Sequence, residues 1–123
     1  MLLSGPSGSG KSDLALRLID RGGILVSDDY TLVKRVDGRL VATAPATIAG
    51  QMEVRGIGIV DLPSVGEAPV ALLVDLFDRV ERMPLDPLLR IVAGMQVPVI
   101  KIAPFEASAP IKVELALSKI GLR

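Results

Sequence analysis

The chain has 123 residues, of which half are hydrophobic and 2% aromatic, and its 14 basic residues balance its 14 acidic ones. A net charge of zero with so few aromatics excludes a general nucleic-acid binder, which needs a basic surface and stacking side chains. Because the chain has no Cys and no His, a disulfide scaffold, a thiolate zinc site and proton transfer by histidine are excluded as well.

The length predicts a single domain over residues 1–123. Whether the natural chain begins before Met1 stays open, because the first strand is short. No apolar stretch reaches the roughly 18 residues of a membrane span, and no signal peptide precedes the first motif. We therefore expect a cytoplasmic protein without membrane contact. The high apolar fraction predicts that part of the surface meets another subunit of a homo-oligomer.

The pattern of apolar residues along the chain predicts an alternation of strands and helices. In chain order these are a strand at Met1–Ser4, a helix at Lys11–Asp20, a strand at Ile24–Ser27, a hairpin of Thr31–Val36 and Arg39–Ala44, a β-prone run at Gln51–Asp61, a strand at Val70–Leu76, a turn and short helix within Arg79–Met95, a strand at Val97–Ile102 and a helix at Pro110–Ile120. Gly22 and Gly23 end the first helix, and Asp37-Gly38 is a typical hairpin turn. The order predicts an α/β domain with a mixed β-sheet and a β-hairpin insertion.

A glycine-rich loop between the first strand and the first helix fits the pattern G-x-x-x-x-G-K-[ST] in full. Its residues are Gly5, Pro6, Ser7, Gly8, Ser9, Gly10, Lys11 and Ser12. Such a loop turns backbone N–H groups towards phosphate oxygens, and the helix that follows presents its positive end to the same anion. We expect Lys11 to reach the β- and γ-phosphates of ATP and Ser12 to ligate Mg²⁺.

Two acidic sites compete for the role of carboxylate partner of the metal. Asp28 and Asp29 follow the predicted strand Ile24–Ser27, and Asp75 follows the apolar run that precedes it. Phosphoryl transfer needs one carboxylate near the metal and one near the attacking oxygen. Adjacent Asp residues could serve both needs, but a solvated turn is an equal alternative from the residues alone.

Three segments together resemble the HPr kinase/phosphorylase family: GPSGSGKSDLALRLIDRGG, ILVSDD and MEVRGIGIVD. The resemblance runs from Gly5 to about Glu114. It implies a P-loop kinase-like domain that uses ATP and Mg²⁺ to phosphorylate a serine of HPr, the phosphocarrier protein of the sugar phosphotransferase system. It also implies a hexamer, and the chain is similar to the short form of the family, which consists of the catalytic domain alone.

The resemblance implies a role for each matching residue. Asp29 matches the base that takes the serine proton, and Asp28 lies beside it near the metal. Glu53 matches a magnesium-associated glutamate, with a structural ion pair to Arg55 or another base as the alternative. Arg55, together with Gly56 and Gly58, belongs to the catalytic signature loop. Arg82 matches a catalytic arginine, with a solvated surface charge as the alternative, and Asp75 becomes a structural residue.

The chain departs from the family pattern in three ways. The histidine that the family carries before the P-loop has no counterpart, the C-terminal loop Ile102–Ser108 contains Glu106 and no arginine, and the chain is shorter than the family's catalytic domain. The first departure leaves open a nucleotide-binding regulatory module without phosphotransfer, and the P-loop alone also allows a small-molecule kinase. The second predicts weak reverse phosphorolysis, since the nearest cations in sequence are Lys101 and Lys112.

Overall fold

The computed structural model describes residues 1–77, 79–80 and 88–122. The strands are β1 (Leu2–Ser4), β2 (Leu32–Val36), β3 (Arg39–Thr43), β4 (Gln51–Val54), β5 (Gly58–Asp61), β6 (Glu67–Pro69), β7 (Leu73–Leu76), β8 (Leu88–Val92) and β9 (Met95–Ile102), and the α-helices are α1 (Lys11–Asp20) and α2 (Ala109–Ile120). No helix in these described ranges is long and apolar enough to cross a bilayer.

A four-stranded sheet in the order β1-β7-β9-β8 forms the centre of the fold. Strands β1, β7 and β9 run parallel, whereas β8 pairs antiparallel with β9. The predicted α/β class with a mixed sheet is therefore confirmed. Because the carboxyl ends of parallel strands meet at one edge, the loops after β1 and after β9 leave the sheet on the same side.

Both faces of this sheet are covered, as a largely parallel sheet requires. Side chains that alternate along β7 point to opposite faces: Val74 and Leu76 pack with Leu14 of α1 and Val113 of α2, whereas Leu73 packs with residues of β3. Arg21 and Glu114 join the two helices through a bidentate ion pair, which lowers the pKa of Glu114. The core thus holds α1 on one face of the sheet, and the loop that precedes α1 lies at the carboxyl edge of the strands.

Two antiparallel hairpins extend from this core. The predicted hairpin is β2–β3, to which β6 adds a third strand. Its turn residues Asp37 and Gly38 both have positive φ, 49° and 76°, as a two-residue turn between twisted strands requires. The second hairpin, β4–β5, forms within the β-prone run Gln51–Asp61.

Two predicted elements are wrong. Residues 24–27 form no strand and make one isolated bridge, between Leu25 and Ser64. Leu25 is buried, so the apolar run reflects burial of this segment and not a strand. The side chain of Ser27 donates a hydrogen bond to the Tyr30 carbonyl.

The short helix predicted within Arg79–Met95 is replaced over its described C-terminal part by strand β8. Ala93 and Gly94 link β8 to β9 in a two-residue turn with φ of 47° and 81°. Alanine rarely takes positive φ, so the residue types at this position do not predict a turn. The rest of the predicted segment, residues 81–87, lies outside the described residues.

Candidate active site

The glycine-rich loop follows β1 and leads directly into α1, as predicted. Gly10 stands at the N-cap of α1 with φ 95°, and a Cβ there would lie 3.0 Å from two ring carbons of Phe105. The position therefore requires glycine both for its backbone conformation and for space. The first N–H groups of α1 are free to meet an anion at this end of the helix.

Lys11 already points into the loop that precedes it. Its Nζ donates a hydrogen bond to the Gly5 carbonyl at 2.7 Å, and the side chain is half-buried. A second bond, from the Ser9 N–H to the Pro6 carbonyl at 3.0 Å, closes the turn within the loop. These two bonds hold the loop in its turn and place the ammonium group beside the Gly5 carbonyl.

Asp28 connects three parts of the site. Its Oδ1 accepts a hydrogen bond from the Ser12 hydroxyl at 3.2 Å, and its Oδ2 accepts one from the backbone N–H of Glu53 at 3.0 Å. Within the signature hairpin β4–β5, the residue before Glu53 is Met52, which is buried at 1% exposure. A single carboxylate therefore joins the P-loop helix, the Asp-Asp segment and the hairpin.

These elements surround one cleft of about 870 Å³. Its walls include most of the predicted site residues in the described part of the chain. They are Ser7, Gly8, Gly10, Lys11, Ser12, Asp28, Asp29, Glu53 and Arg55. Gly5, Pro6 and Ser9 belong to the same loop without lining the cleft, and Arg82 lies outside the described residues.

The competing acid, Asp75, faces a different environment. Its Oδ2 lies 2.6 Å from Nη2 of Arg90 on β8, and its side chain is 14% exposed. It is not among the residues that line the cleft. The structural alternative for Glu53 also finds no support, because within the described residues Glu53 forms no ion pair with Arg55 or with another base.

The oxygen atoms of Ser12 and Asp28 fit a magnesium ion. A hydroxyl and a carboxylate oxygen 3.2 Å apart are hard ligands of the kind that Mg²⁺ takes from proteins, with phosphates and water completing its coordination. Glu53 also lines the cleft, and a carboxylate at this position can bind a water of such an ion.

Sequence reasoning missed the C-terminal loop as a wall of this cleft. Phe105 lines the cleft beside the P-loop, and Arg17 of α1 donates hydrogen bonds to the carbonyls of Pro104 and Glu106. Arg17 is thus a third cation at this loop, besides Lys101 and Lys112. The parallel direction of β1 and β9 was the signal that could have placed the two loops together.

Comparison with known families settles what kind of domain this is. Residues 1–113 match the family described as the HPr Serine kinase C-terminal domain. The chain belongs to this family. The matched range includes the P-loop, the Asp-Asp segment and the hairpin.

Individual relatives of this HPr kinase domain agree with that assignment. The HPr kinase/phosphorylases of Clostridium tetani and Clostridium novyi are 48% and 51% identical over 65 residues, which is 53% of this chain and 21% of each relative. The chain thus spans about a fifth of the length of these relatives. The structure of the Hpr(Ser) kinase/phosphatase from Coxiella burnetii superposes with a TM-score of 0.80 at 32% identity, covering 95% of this chain and 79% of that one.

Proposed function

We propose that this protein is an ATP-dependent protein serine kinase that phosphorylates an HPr-like phosphocarrier protein in the cytoplasm and so regulates the carbohydrate phosphotransferase system. The observation that carries the proposal is the single cleft in which the P-loop, Asp28-Asp29 and the Glu53–Arg55 hairpin meet. A phosphate-binding loop with an adjacent exposed carboxylate provides both halves of a phosphoryl transfer site.

The reaction transfers the γ-phosphoryl group of ATP to a serine hydroxyl. The P-loop N–H groups and Lys11 hold the triphosphate, while Ser12 and Asp28 would hold Mg²⁺, which supplies charge neutralisation at the phosphates when bound. The serine Oγ attacks the γ-phosphorus, the bond from that phosphorus to the bridging oxygen breaks, and ADP leaves. Asp29 accepts the serine proton, because Asp28 is already engaged with Ser12 and Glu53.

Two arginines are proposed to act on the transferred group. Arg55 is exposed on the turn of the hairpin and lines the cleft, where its guanidinium can meet negative charge on the phosphoryl oxygens. By resemblance to the family, Arg82 has a similar role.

We further propose that reverse phosphorolysis is weak. That reaction must hold inorganic phosphate beside phosphoserine, and arginine clamps phosphate best. Around the C-terminal loop, Lys112 is paired with Glu106 at 2.8 Å, Lys101 lies over the Phe77 ring at 5.0 Å, and Arg17 binds backbone carbonyls. Serine-phosphorylated HPr mixed with millimolar phosphate should release pyrophosphate far more slowly than the kinase consumes ATP; comparable rates would contradict this proposal.

Incubation with ATP labelled at the γ-phosphate, with HPr present, tests the kinase function. Label on a serine of HPr is the expected result, and replacing that serine by alanine should abolish it. Nucleotide binding with no label on HPr would favour a regulatory module, and label on a metabolite would favour a small-molecule kinase. Either result would overturn the proposed function.

A further inference from the structure

Phe105 is an exposed aromatic side chain at the edge of the nucleotide cleft. It belongs to the loop between β9 and α2, and it is 68% exposed. Its ring carbons Cε1 and Cζ lie against Gly10 of the P-loop. Because the side chain lines the cleft and remains mostly exposed, its ring is accessible to a ligand there.

Arg17 fixes the backbone on both sides of this ring. Its guanidinium donates to the carbonyl of Pro104 and, at 3.1 Å, to that of Glu106, and it also pairs with Asp13 at 2.9 Å. Glu106 is held a second time by its ion pair with Lys112. The planar fork of arginine suits two carbonyls at once, so Phe105 is held between two anchored residues.

Among the described residues that line the cleft, Phe105 is the one aromatic side chain that could contact the nucleotide base. The phosphate end is accounted for by the loop N–H groups, Lys11, Ser12 and Asp28. The base must extend beyond the P-loop. Of the described apolar side chains on the wall, Phe105 alone offers a flat π-surface next to Gly10.

We propose that Phe105 is the platform on which the base of the bound nucleotide stacks, and that Arg17 is the positioning residue that holds this platform against the P-loop. The inference rests on the proposed nucleotide-binding function and deepens it. Stacking on an aromatic ring is tolerant of base identity, because every base has a π-face. The site therefore selects for a nucleotide over a bare polyphosphate more than for adenine over guanine.

The test compares ATP with inorganic tripolyphosphate, which has the same chain of phosphates and neither ribose nor base. Calorimetric titration of each ligand, with Mg²⁺, into the full chain and into Phe105→Ala isolates the contribution of the nucleoside, of which the base is the part that can stack on an aromatic ring. We expect Phe105→Ala to weaken ATP binding about tenfold, in the range measured for the loss of one base–aromatic stack. Tripolyphosphate affinity should change less than about twofold.

Matched variants separate stacking from a general loss of structure. Phe105→Trp keeps a π-face and should retain most of the ATP affinity. Phe77→Ala removes the chain's other phenylalanine, which does not line the cleft. This variant should leave the affinities for ATP and for tripolyphosphate unchanged. Arg17→Lys cannot reach both carbonyls, so it should lower the ratio of ATP to tripolyphosphate affinity, an effect that mere loss of stability would not produce.

The outcomes distinguish this inference from the kinase function. If Phe105→Ala lowers the affinities for ATP and for tripolyphosphate equally, the ring only shapes the P-loop. If the ATP affinity is unchanged, the base lies elsewhere. Either result overturns the inference. Failure to label HPr, with the base-dependent loss still present, leaves the inference standing and overturns the kinase function instead. If the unaltered chain prefers tripolyphosphate to ATP, the inference is wrong.

Discussion

Asp28 and Asp29 are neighbours in sequence but lie in different surroundings. The carboxylate of Asp28 accepts hydrogen bonds from Ser12 and from the backbone of Glu53, whereas Asp29 is exposed on the wall of the cleft. A carboxylate held by two donors is suited to a fixed ligand role, and an exposed one can approach an incoming hydroxyl. We therefore propose different roles for the two side chains, with Asp28 as a metal ligand and Asp29 as the base.

This division predicts the effect of neutralising each acid. Asp29→Asn should lower the rate of HPr phosphorylation by about 10²–10⁴-fold, the usual contribution of a general base, and leave ATP affinity nearly unchanged. Asp75→Asn, which breaks only the pair with Arg90, should have the milder effect on rate. Steady-state kinetics of both variants would contradict the assignment if Asp75→Asn were the more damaging.

Lys11→Ala should weaken ATP binding by about tenfold or more, because hydrogen bonds to charged groups contribute about 1.5–3 kcal/mol. The fold should survive, since the variant leaves one half-buried carbonyl, that of Gly5, without its donor. Lys34→Ala is the control, because it removes the same charge from the exposed face of β2. Titration calorimetry with equal affinities for the two variants would rule out this role for Lys11.

At the scale of elements, the sequence predicted those whose signals are local. The P-loop, α1 and the Asp37-Gly38 hairpin carry specific residues at fixed spacing, and the structure confirms them. The strand predicted at residues 24–27 is wrong because an apolar run indicates burial and not pairing with another strand. The helix predicted before Met95 is wrong because a short apolar run does not by itself distinguish a helix from a strand, and residues 88–92 pair with β9. In the same way, no local pattern could predict that Phe105 meets Gly10, which depends on the parallel order of the sheet.

The turn between β8 and β9 leads to a stability prediction. Ala93 has φ of 47°, a conformation that costs an L-residue about 1–2 kcal/mol and glycine nothing. Ala93→Gly should therefore raise the free energy of unfolding by about 0.5 kcal/mol, after subtracting the added entropy of the unfolded chain.

Ala49→Gly is the matched control for this substitution. Ala49 is also exposed but has φ of −58°, so glycine there should lower stability or leave it unchanged. Urea unfolding of the two variants measures the difference, and a loss of stability in Ala93→Gly would contradict the strain at this turn.

At the scale of the whole molecule, apolar side chains remain exposed where the described sheet ends. Strand β8 stands at its edge, with Leu89 and Ile91 exposed by 59% and 70%. Exposed edge strands with apolar side chains tend to pair with another chain. The predicted homo-oligomer thus has a surface on which subunits could meet.

We expect sedimentation velocity to show an assembly larger than a monomer, with a hexamer expected from the family resemblance. Ile91→Lys should shift the distribution towards smaller species, because it places a charge on the edge strand. Leu115→Lys places the same charge on α2, at a residue of similar exposure, 65%, and should have less effect. A purely monomeric wild-type chain at working concentration would refute the prediction.

The hydrogen bond from Lys11 to the Gly5 carbonyl also has a kinetic consequence. The ammonium group is hydrogen-bonded to an oxygen of the loop itself. When a nucleotide binds, Lys11 exchanges this carbonyl oxygen for a phosphate oxygen by a side-chain rotation, a motion of picoseconds to nanoseconds. Capture should then be limited by diffusion and not by reshaping of the loop. Stopped-flow association rates should fall in proportion to added solvent viscosity, whereas a rate independent of viscosity would indicate a slow opening step before binding.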